Sequence, residues 1–449
     1  MKIGVYIHDG FTFEPRAECP YYWGNAEYEP FLDWLHYAGV ERVEYCQQMG
    51  WYRYPTLPEE LDRLRARQRL AEAAHQRGME FSLILGTNLY SRLPPERVPP
   101  GQLQVSEGEI SECPQEPGGF ARTSGIGLYY ARCFRGADAF EVLAGDWGGC
   151  HCGRCGIEQY LGYMRFYADR LGAEQPQARV WANLWSISSW QKPTYPIPTS
   201  LTDPNWRHFW DDEIALSQRF LGMLDQVPPQ VGLAFPLHHW YRGFCQRWYR
   251  EEELPFWPDY GLLKDLSDRG RTLLAWTHFI VENDPYHGRL WGTLSVRLRY
   301  LKQLAGLLAQ APFEGVMGNV YSARQALNLY AFVRFCREPG LAPNSINRGL
   351  AVERVMADFA AEVAQPEGRA LLEDALVYLE NRDPWEEDLP PYRRLTPIPE
   401  RGIHPERLAA ALPELALCLR RDTPLLLNGA EAFARTVAEA WALAQEKVA

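Results

Sequence analysis

Three thiols fall within six residues in the segment Cys150-His151-Cys152-Gly153-Arg154-Cys155. Thiolates at that spacing, two of them a C-x-x-C pair, wrap one Zn²⁺ ion once a fourth ligand arrives from elsewhere in the chain. His151, Cys113, Cys46 and Cys19 are all eligible, and the spacing does not choose among them. A site built on three thiolates is soft and closed, so the expected role of zinc at Cys150, Cys152 and Cys155 is structural. Unligated thiols are the plainer alternative.

Directly before the thiols, Asp146 closes an apolar run and sits in a Gly-Asp-Trp-Gly-Gly turn that would hold its carboxylate rigidly. Carboxyls, aromatic rings and His or Asn side chains at one place are what glycoside hydrolysis needs. One carboxyl protonates the leaving oxygen, another acts as base or nucleophile, rings stack on sugar faces, and imidazole or amide groups hold hydroxyls. Asp146 is the first candidate acid and Glu282 the second, with Asp9 and Glu44 in reserve. A structural hydrogen-bond acceptor is the competing reading for each. Rings are plentiful, since the chain carries 16 Trp, although large folds also bury Trp between their layers.

Such residues converge only if the backbone positions them. β-Branched and aromatic runs alternate with amphipathic ones along the first three quarters of the sequence. Strands are expected at 2–8, 40–47, 79–88, 139–146, 179–186, 231–239, 271–278 and 315–321, with helices at 58–77, 157–171, 212–224 and 293–310 among the intervening segments. The first of these helices closes on Gly78, a usual stop. Strand, helix and strand again means a parallel sheet, and eight repeats favour a closed (β/α)8 barrel over an open one. No glycine-rich dinucleotide fingerprint follows the first strand. The third unit is the least regular, with a long Pro- and Gly-rich connection at 89–120, and a loop of that length is usually functional or mobile.

Barrel enzymes carry their chemistry at strand C-termini. Here those ends bring His8 and Asp9, Glu44, Asn88, Asp146 and Trp147, then Asn183 and Trp185, His238, His239 and Trp240, Trp276 and His278, and finally Asn319 and Tyr321. A single His or Asn at such a place often only caps a loop. Eight loaded ends facing eight plain ones make a substrate-binding mouth the better reading.

After a last barrel helix at 325–337, Glu338-Pro339-Gly340 breaks the pattern; amphipathic or Ala-rich stretches follow at 346–363, 367–380, 405–420 and 431–446 without a convincing strand. The expected fold is therefore α/β: a (β/α)8 TIM barrel over 1–340 as catalytic domain and an all-α C-terminal domain over 341–449. A net charge of −11 and the lack of any Lys/Arg cluster argue against nucleic acid as a partner. No apolar run reaches the ~20 residues of a membrane helix, so no membrane partner is expected. The first residues read as a strand rather than a secretory leader, which makes the cytoplasm the expected location. A reducing cytoplasm would also disfavour a disulfide among the clustered thiols.

The segment Ala144-Gly145-Asp146-Trp147-Gly148-Gly149-Cys150-His151-Cys152-Gly153-Arg154-Cys155 resembles the fourth-strand region of barrel proteins related to family-20 hexosaminidases and family-67 α-glucuronidases, many of them uncharacterised. Leu273-Leu274-Ala275-Trp276-Thr277-His278 resembles their seventh strand, and Phe313-Glu314-Gly315-Val316-Met317-Gly318-Asn319 their eighth. Asn328-Leu329-Tyr330 through Pro339, and the helix with Asp358-Phe359, resemble the way such chains enter a helical C-terminal domain. The resemblance covers 139–160 and 270–365 and implies a glycosidase barrel. One departure matters. Family-20 enzymes carry an Asp-Glu pair at the fourth strand, the Asp orienting the substrate acetamido group and the Glu acting as acid, whereas Asp146 is followed by Trp147. Neither that chemistry nor its substrate carries over, and an acid from elsewhere, Glu282 by strand order, is then required.

Three functions stand open at this point. The leading one is a glycoside hydrolase acting on a small carbohydrate or glycoconjugate, needing no cofactor for its chemistry. Asp146 and Glu282 serve as acid and base; Trp147, Trp185, Trp240, Trp276 and Tyr321 stack; and His8, Asp9, Glu44, Asn183, His238, His239, His278 and Asn319 bind polar groups. The alternative is a carbohydrate-binding barrel without catalysis. A third is a metal-dependent hydrolase or isomerase using His8, His238, His239 and His278, although such barrels usually open with a closely spaced His pair and this one offers only His8.

Overall fold

The computed structural model describes residues 1–8, 23–46, 54, 58–88, 112–145, 148–196, 198, 203–240, 248–277, 296–319, 325–341, 350–382, 397–400 and 405–446. Eight strands, β1 (Lys2–His8), β2 (Arg42–Cys46), β3 (Glu80–Leu85), β4 (Ala139–Leu143), β5 (Arg179–Asn183), β6 (Gly232–Pro236), β7 (Leu273–Thr277) and β8 (Gly315–Asn319), follow one another around a closed parallel barrel. The ring closes where Lys2 of β1 lies beside Gly315 of β8. Helices α1 (Asn25–Ala38), α2 (Pro58–Gln76), α3 (Gly119–Cys133), α4 (Ile157–Glu174), α5 (Trp206–Leu221), α6 (Tyr260–Asp268), α7 (Leu298–Leu308) and α8 (Ala326–Arg337) each follow the strand of the same number. The chain is thus the α/β (β/α)8 barrel that the alternation of patterns predicts.

Successive side chains of a strand point to opposite faces. Tyr6, Cys46, Ile84, Leu143, Trp181, Ala234, Trp276 and Met317 accordingly form an apolar cluster of their own inside the barrel, while Val5, Val43, Leu83, Val142 and Phe235 join the layer between sheet and helices. The strands end up to three residues earlier than their hydrophobic runs suggest, so several polar residues at the mouth sit on turns just above the sheet. Helix α5 starts at Trp206, six residues before the expected 212, and so carries Trp206 and Trp210 on its first turns. Helix α6 was not among the expected helices; Asp259 caps it by accepting from the backbone N–H of Leu262 at 2.9 Å.

Beyond residue 341 come α9 (Leu350–Val363), α10 (Arg369–Glu380), α11 (Pro405–Ala411) and α12 (Gly429–Glu446). The single helix expected over 405–420 is broken: α11 gives way to a 3₁₀ turn at Leu412–Glu414, where Pro413 cannot donate the backbone bond that a continuous helix requires. These helices share the barrel's outer apolar cluster through Val352, Leu376 and Val437. Glu380 is fully buried and accepts from the backbone N–H groups of Leu298 and Arg299 (2.7 and 3.0 Å) and from Arg299 Nε (2.8 Å). A carboxylate at a helix N-terminus and beside a guanidinium is well compensated, and here it ties α10 to the start of α7. Trp34 of α1 adds a buried bond to the carbonyl of Leu425 at 3.0 Å. Among the described residues no helix is long and apolar enough to cross a membrane.

Candidate active site at the barrel mouth

Two carboxyls lie inside the barrel, Glu44 on β2 and Glu141 on β4, with 1% and 0% of their surface exposed. Both occupy inward positions of short apolar strands. Glu44 accepts from Ser82 Oγ at 3.0 Å and from Trp276 Nε1 at 3.1 Å, and it touches Glu141. Glu141 accepts from the side-chain amide of Asn183. That amide has one orientation, because its Oδ1 is taken by the backbone N–H of Trp185 at 2.8 Å and its Nδ2 must therefore face Glu141. Burial pushes both carboxyls above their ordinary range, Glu141 furthest because the charge of Glu44 adds to the effect. Two buried carboxyls in contact favour sharing a proton, and Glu141 holds it the more tightly of the two because the charge of Glu44 lies beside it.

Aromatic rings adjoin this pair, Trp276 through its bond to Glu44. Trp276 lies 5.1 Å from Tyr6 and 5.6 Å from Trp185 between ring centres, and Trp185 lies 4.4 Å from His238. Trp210 of α5 closes the group at 4.9 Å from His238. Trp185 is only partly buried. Burial drives His239 down to about 3, so it is a neutral imidazole packed on Trp210 and Tyr249.

The turn after β4 is anchored on both sides. Before residue 146, the backbone N–H groups of Ala144 and Gly145 donate to the carbonyls of Asn183 and Trp185, each at 3.0 Å, and Trp190 Nε1 donates to the Ala144 carbonyl at 2.6 Å. After residue 147, Asn88 brackets Gly149, its Oδ1 accepting from the Gly149 N–H at 2.7 Å and its Nδ2 donating to the Gly149 carbonyl at 2.6 Å. The same Nδ2 reaches the Glu112 carbonyl at 3.0 Å. Gly149 has φ of 90°, and a Cβ there would meet the Ser189 carbonyl at 2.3 Å, so no other residue fits. Cys150 then donates its N–H to that carbonyl at 2.8 Å. The β5 turn that receives these bonds is itself fixed by Glu213, which is buried and accepts from the backbone N–H groups of Ile187 and Ser188.

The structure therefore brings Glu44, Asn183, Trp276, Trp185 and His238 into one group, with Asn319 buried in register with Tyr6 of β1. It sends Trp240 elsewhere. The 3₁₀ turn His238–Trp240 points that ring outward, where it is 1% exposed, stacks on Phe256 and donates to the Pro258 carbonyl at 2.8 Å. Asp9, Asp146, Trp147, His278, Glu282 and Tyr321 lie outside the described residues, as does the side chain of His8. Glu141, Ser82, Tyr6 and Trp210 belong to the group and were not singled out from the sequence. For Glu141 a signal existed: a charged residue in the middle of Ala139-Phe140-Glu141-Val142-Leu143 shares its face with Ala139 and Leu143, toward the barrel axis.

No protein-family profile matches the chain, and no curated protein matches its sequence. Solved structures do resemble it. A GH138 enzyme targeting pectin rhamnogalacturonan II superposes with a TM-score of 0.52 at 9% identity, covering 99% of this chain and 57% of that one. The fold is shared with a glycoside hydrolase. An O-GlcNAc hydrolase mutant from Thermobaculum terrenum follows at 13% identity and TM-score 0.46, covering 91% of this chain and 70% of that one. A β-N-acetylhexosaminidase from Bacteroides fragilis has 11% identity and TM-score 0.43, with 75% and 64% covered. The chain thus spans little more than half the length of the GH138 enzyme, and the likeness is one of fold.

Proposed function

We propose that this chain is a glycoside hydrolase that cleaves a carbohydrate or glycoconjugate at the C-terminal mouth of its barrel. The observation that carries this reading is the anchored turn after β4. Hydrogen bonds hold the main chain at Ala144 and Gly145 before the Asp146-Trp147 pair and at Gly149 and Cys150 after it, at the mouth of a barrel whose fold is shared with a glycoside hydrolase. Rigid placement of an acid beside the bond it must protonate is worth several orders of magnitude in rate.

The buried Glu44–Glu141 pair does not supply the two reacting carboxyls. Groups in direct contact cannot straddle a glycosidic bond, which needs carboxyls about 5 to 9.5 Å apart. The pair acts instead as the floor of the site, fixing Trp276 and, through Asn183, the backbone of Trp185. The reacting groups in this reading are Asp146 and Glu282, which follow β4 and β7; three steps apart on a ring of eight strands, those ends face each other across most of the mouth. Trp185 offers a ring face to a sugar, and His238 beside it a hydroxyl partner.

Turnover of a panel of aryl glycosides by the wild type, Asp146→Asn and Glu282→Gln tests the assignment. Each substitution is expected to lower kcat by roughly 10²- to 10⁴-fold with little change in KM. A wild type that binds sugars yet turns over no member of the panel would establish the non-catalytic alternative, which Trp147 in place of an acid keeps in view.

A further inference from the structure

The sequence leaves the fourth partner of the Cys150, Cys152 and Cys155 thiols open, and the structure brings one to them. Cys113, on the segment that leads into α3, places its sulfur 3.9 Å from that of Cys152 and 3.6 Å from that of Cys155. All four sulfurs lie within 4.8 Å of one another, and this is the one such group of potential ligands among the described residues. Cys46 is instead inside the barrel, and Cys19 lies outside the described residues.

The separations discriminate between chemistries. A disulfide needs about 2.05 Å between sulfurs, far less than these thiols show. Four thiolates about 2.3 Å from one tetrahedral metal ion stand about 3.8 Å from each other, close to the values here. A cluster of several irons would spread its ligands around the cluster, whereas these sulfurs converge on a single point. The local backbone suits thiolates as well. Gly153 has φ of 76°, which turns the N–H of Arg154 onto the Cys152 sulfur at 3.3 Å, and the Arg154 guanidinium stands 4.0 Å from the Cys113 sulfur. Donors of this kind offset the net negative charge that four thiolates leave around a divalent ion.

The geometry points to a Cys113/Cys150/Cys152/Cys155 site that holds one Zn²⁺ and clamps the turn after β4 to the segment before α3. Four thiolates leave no open coordination position, so the metal would be a brace and not a reactant. The brace lies on the same turn that Asn88 brackets, and Asn88 also holds Glu112, the neighbour of Cys113. Metal and amide would thus fasten the same two segments side by side. The inference stands whether or not the chain hydrolyses glycosides.

Metal analysis of the intact chain, purified under reducing conditions from zinc-supplemented medium, is expected to find one zinc per chain. Replacement by Co²⁺ should give the intense thiolate-to-cobalt absorption of a tetrahedral site, a readout that needs no variant. Cys113→Ser should lose zinc to a chelator roughly tenfold or more faster than wild type, whereas Cys418→Ser, at a thiol remote from the cluster, should match wild type. Stripping the metal should speed hydrogen exchange at the Gly149 and Cys150 amides and leave the β7 amides unchanged. Iron in place of zinc, a metal-free wild type without the cobalt band, a disulfide among the four cysteines, or zinc kept by a Cys150/Cys152/Cys155→Ser triple variant would each overturn the proposal.

Discussion

The barrel treats charge in opposite ways at its two levels. At the N-terminal end Arg42, 3% exposed, donates Nε and Nη2 to one oxygen of Glu80 at 2.9 and 2.7 Å and approaches Glu314 at 3.4 Å. Lys2 also reaches Glu80, and Arg179 reaches Glu314 at 2.6 Å. Each of these five charges meets an opposite one. Further along the axis Glu44 and Glu141 meet each other. Burial raises Glu80, yet Lys2 and Arg42 outweigh it and hold that carboxyl below its ordinary range, whereas burial prevails at Glu44 and Glu141. The N-terminal plug stabilises the fold. A like-charged pair that must share a proton does so poorly at neutral pH, and such costs concentrate where a molecule works.

The two levels therefore respond to pH with opposite sign. Glu80 binds its proton less tightly in the folded chain than in the unfolded one, so its contribution is present above the ordinary value of 4.5 and is lost as pH falls through its depressed value. Glu141 binds its proton more tightly when folded, so its contribution is complete below that value and is lost as pH rises through the raised one.

The largest effect is expected at the plug. Arg42→Ala leaves Glu80 and Glu314 without their shared cation and removes the guanidinium that lies 5.9 Å from the centre of the Trp181 ring. Breaking a mostly buried ion pair from one side should cost about 2 to 4 kcal/mol in urea-induced unfolding. A loss under about 1 kcal/mol would mean that the plug is no more than a solvated surface network.

How much of this the sequence discloses depends on the range of the signal. The barrel is legible because period-two burial in strands and the strand–helix alternation are local, and three of the four thiols are legible because they share six residues. The choice of Cys113 is not, since it lies inside the long connection at 89–120, where no local pattern fixes its position. The Glu44–Glu141 contact joins two strands that are not neighbours in the sheet, and nothing local announces it. Trp240 follows two histidines at a strand end and reads as a ring at the mouth; the 3₁₀ turn that points it outward depends on packing against Phe256 and Tyr260.

A smaller effect should separate the carboxyl pair from the plug. In Glu141→Gln the side-chain carbonyl still accepts from Asn183, and its amide group can donate to Glu44 in place of the shared proton. Stability near pH 5 should match wild type, while near pH 8 the variant should be the more stable by on the order of 1 kcal/mol, since it has no proton to lose. Thermal unfolding at the two pH values reads this directly. Equal destabilisation at both would show that no proton is shared.

The smallest effect belongs to the rim of the plug and tests whether burial sets its energetics. Lys2 binds Glu80 with 48% of its side chain exposed, and Glu80 keeps both Arg42 bonds when Lys2 is removed. Solvent screens the Lys2 charge and the long side chain loses entropy when it is held, so Lys2→Ala should change stability by no more than about 0.5 kcal/mol. Even that difference should fade in high salt, where the Debye length shrinks to a few ångströms. A loss comparable to that of Arg42→Ala would require the two cations to act as one unit. The double variant would reveal it by costing far less than the sum of its parts.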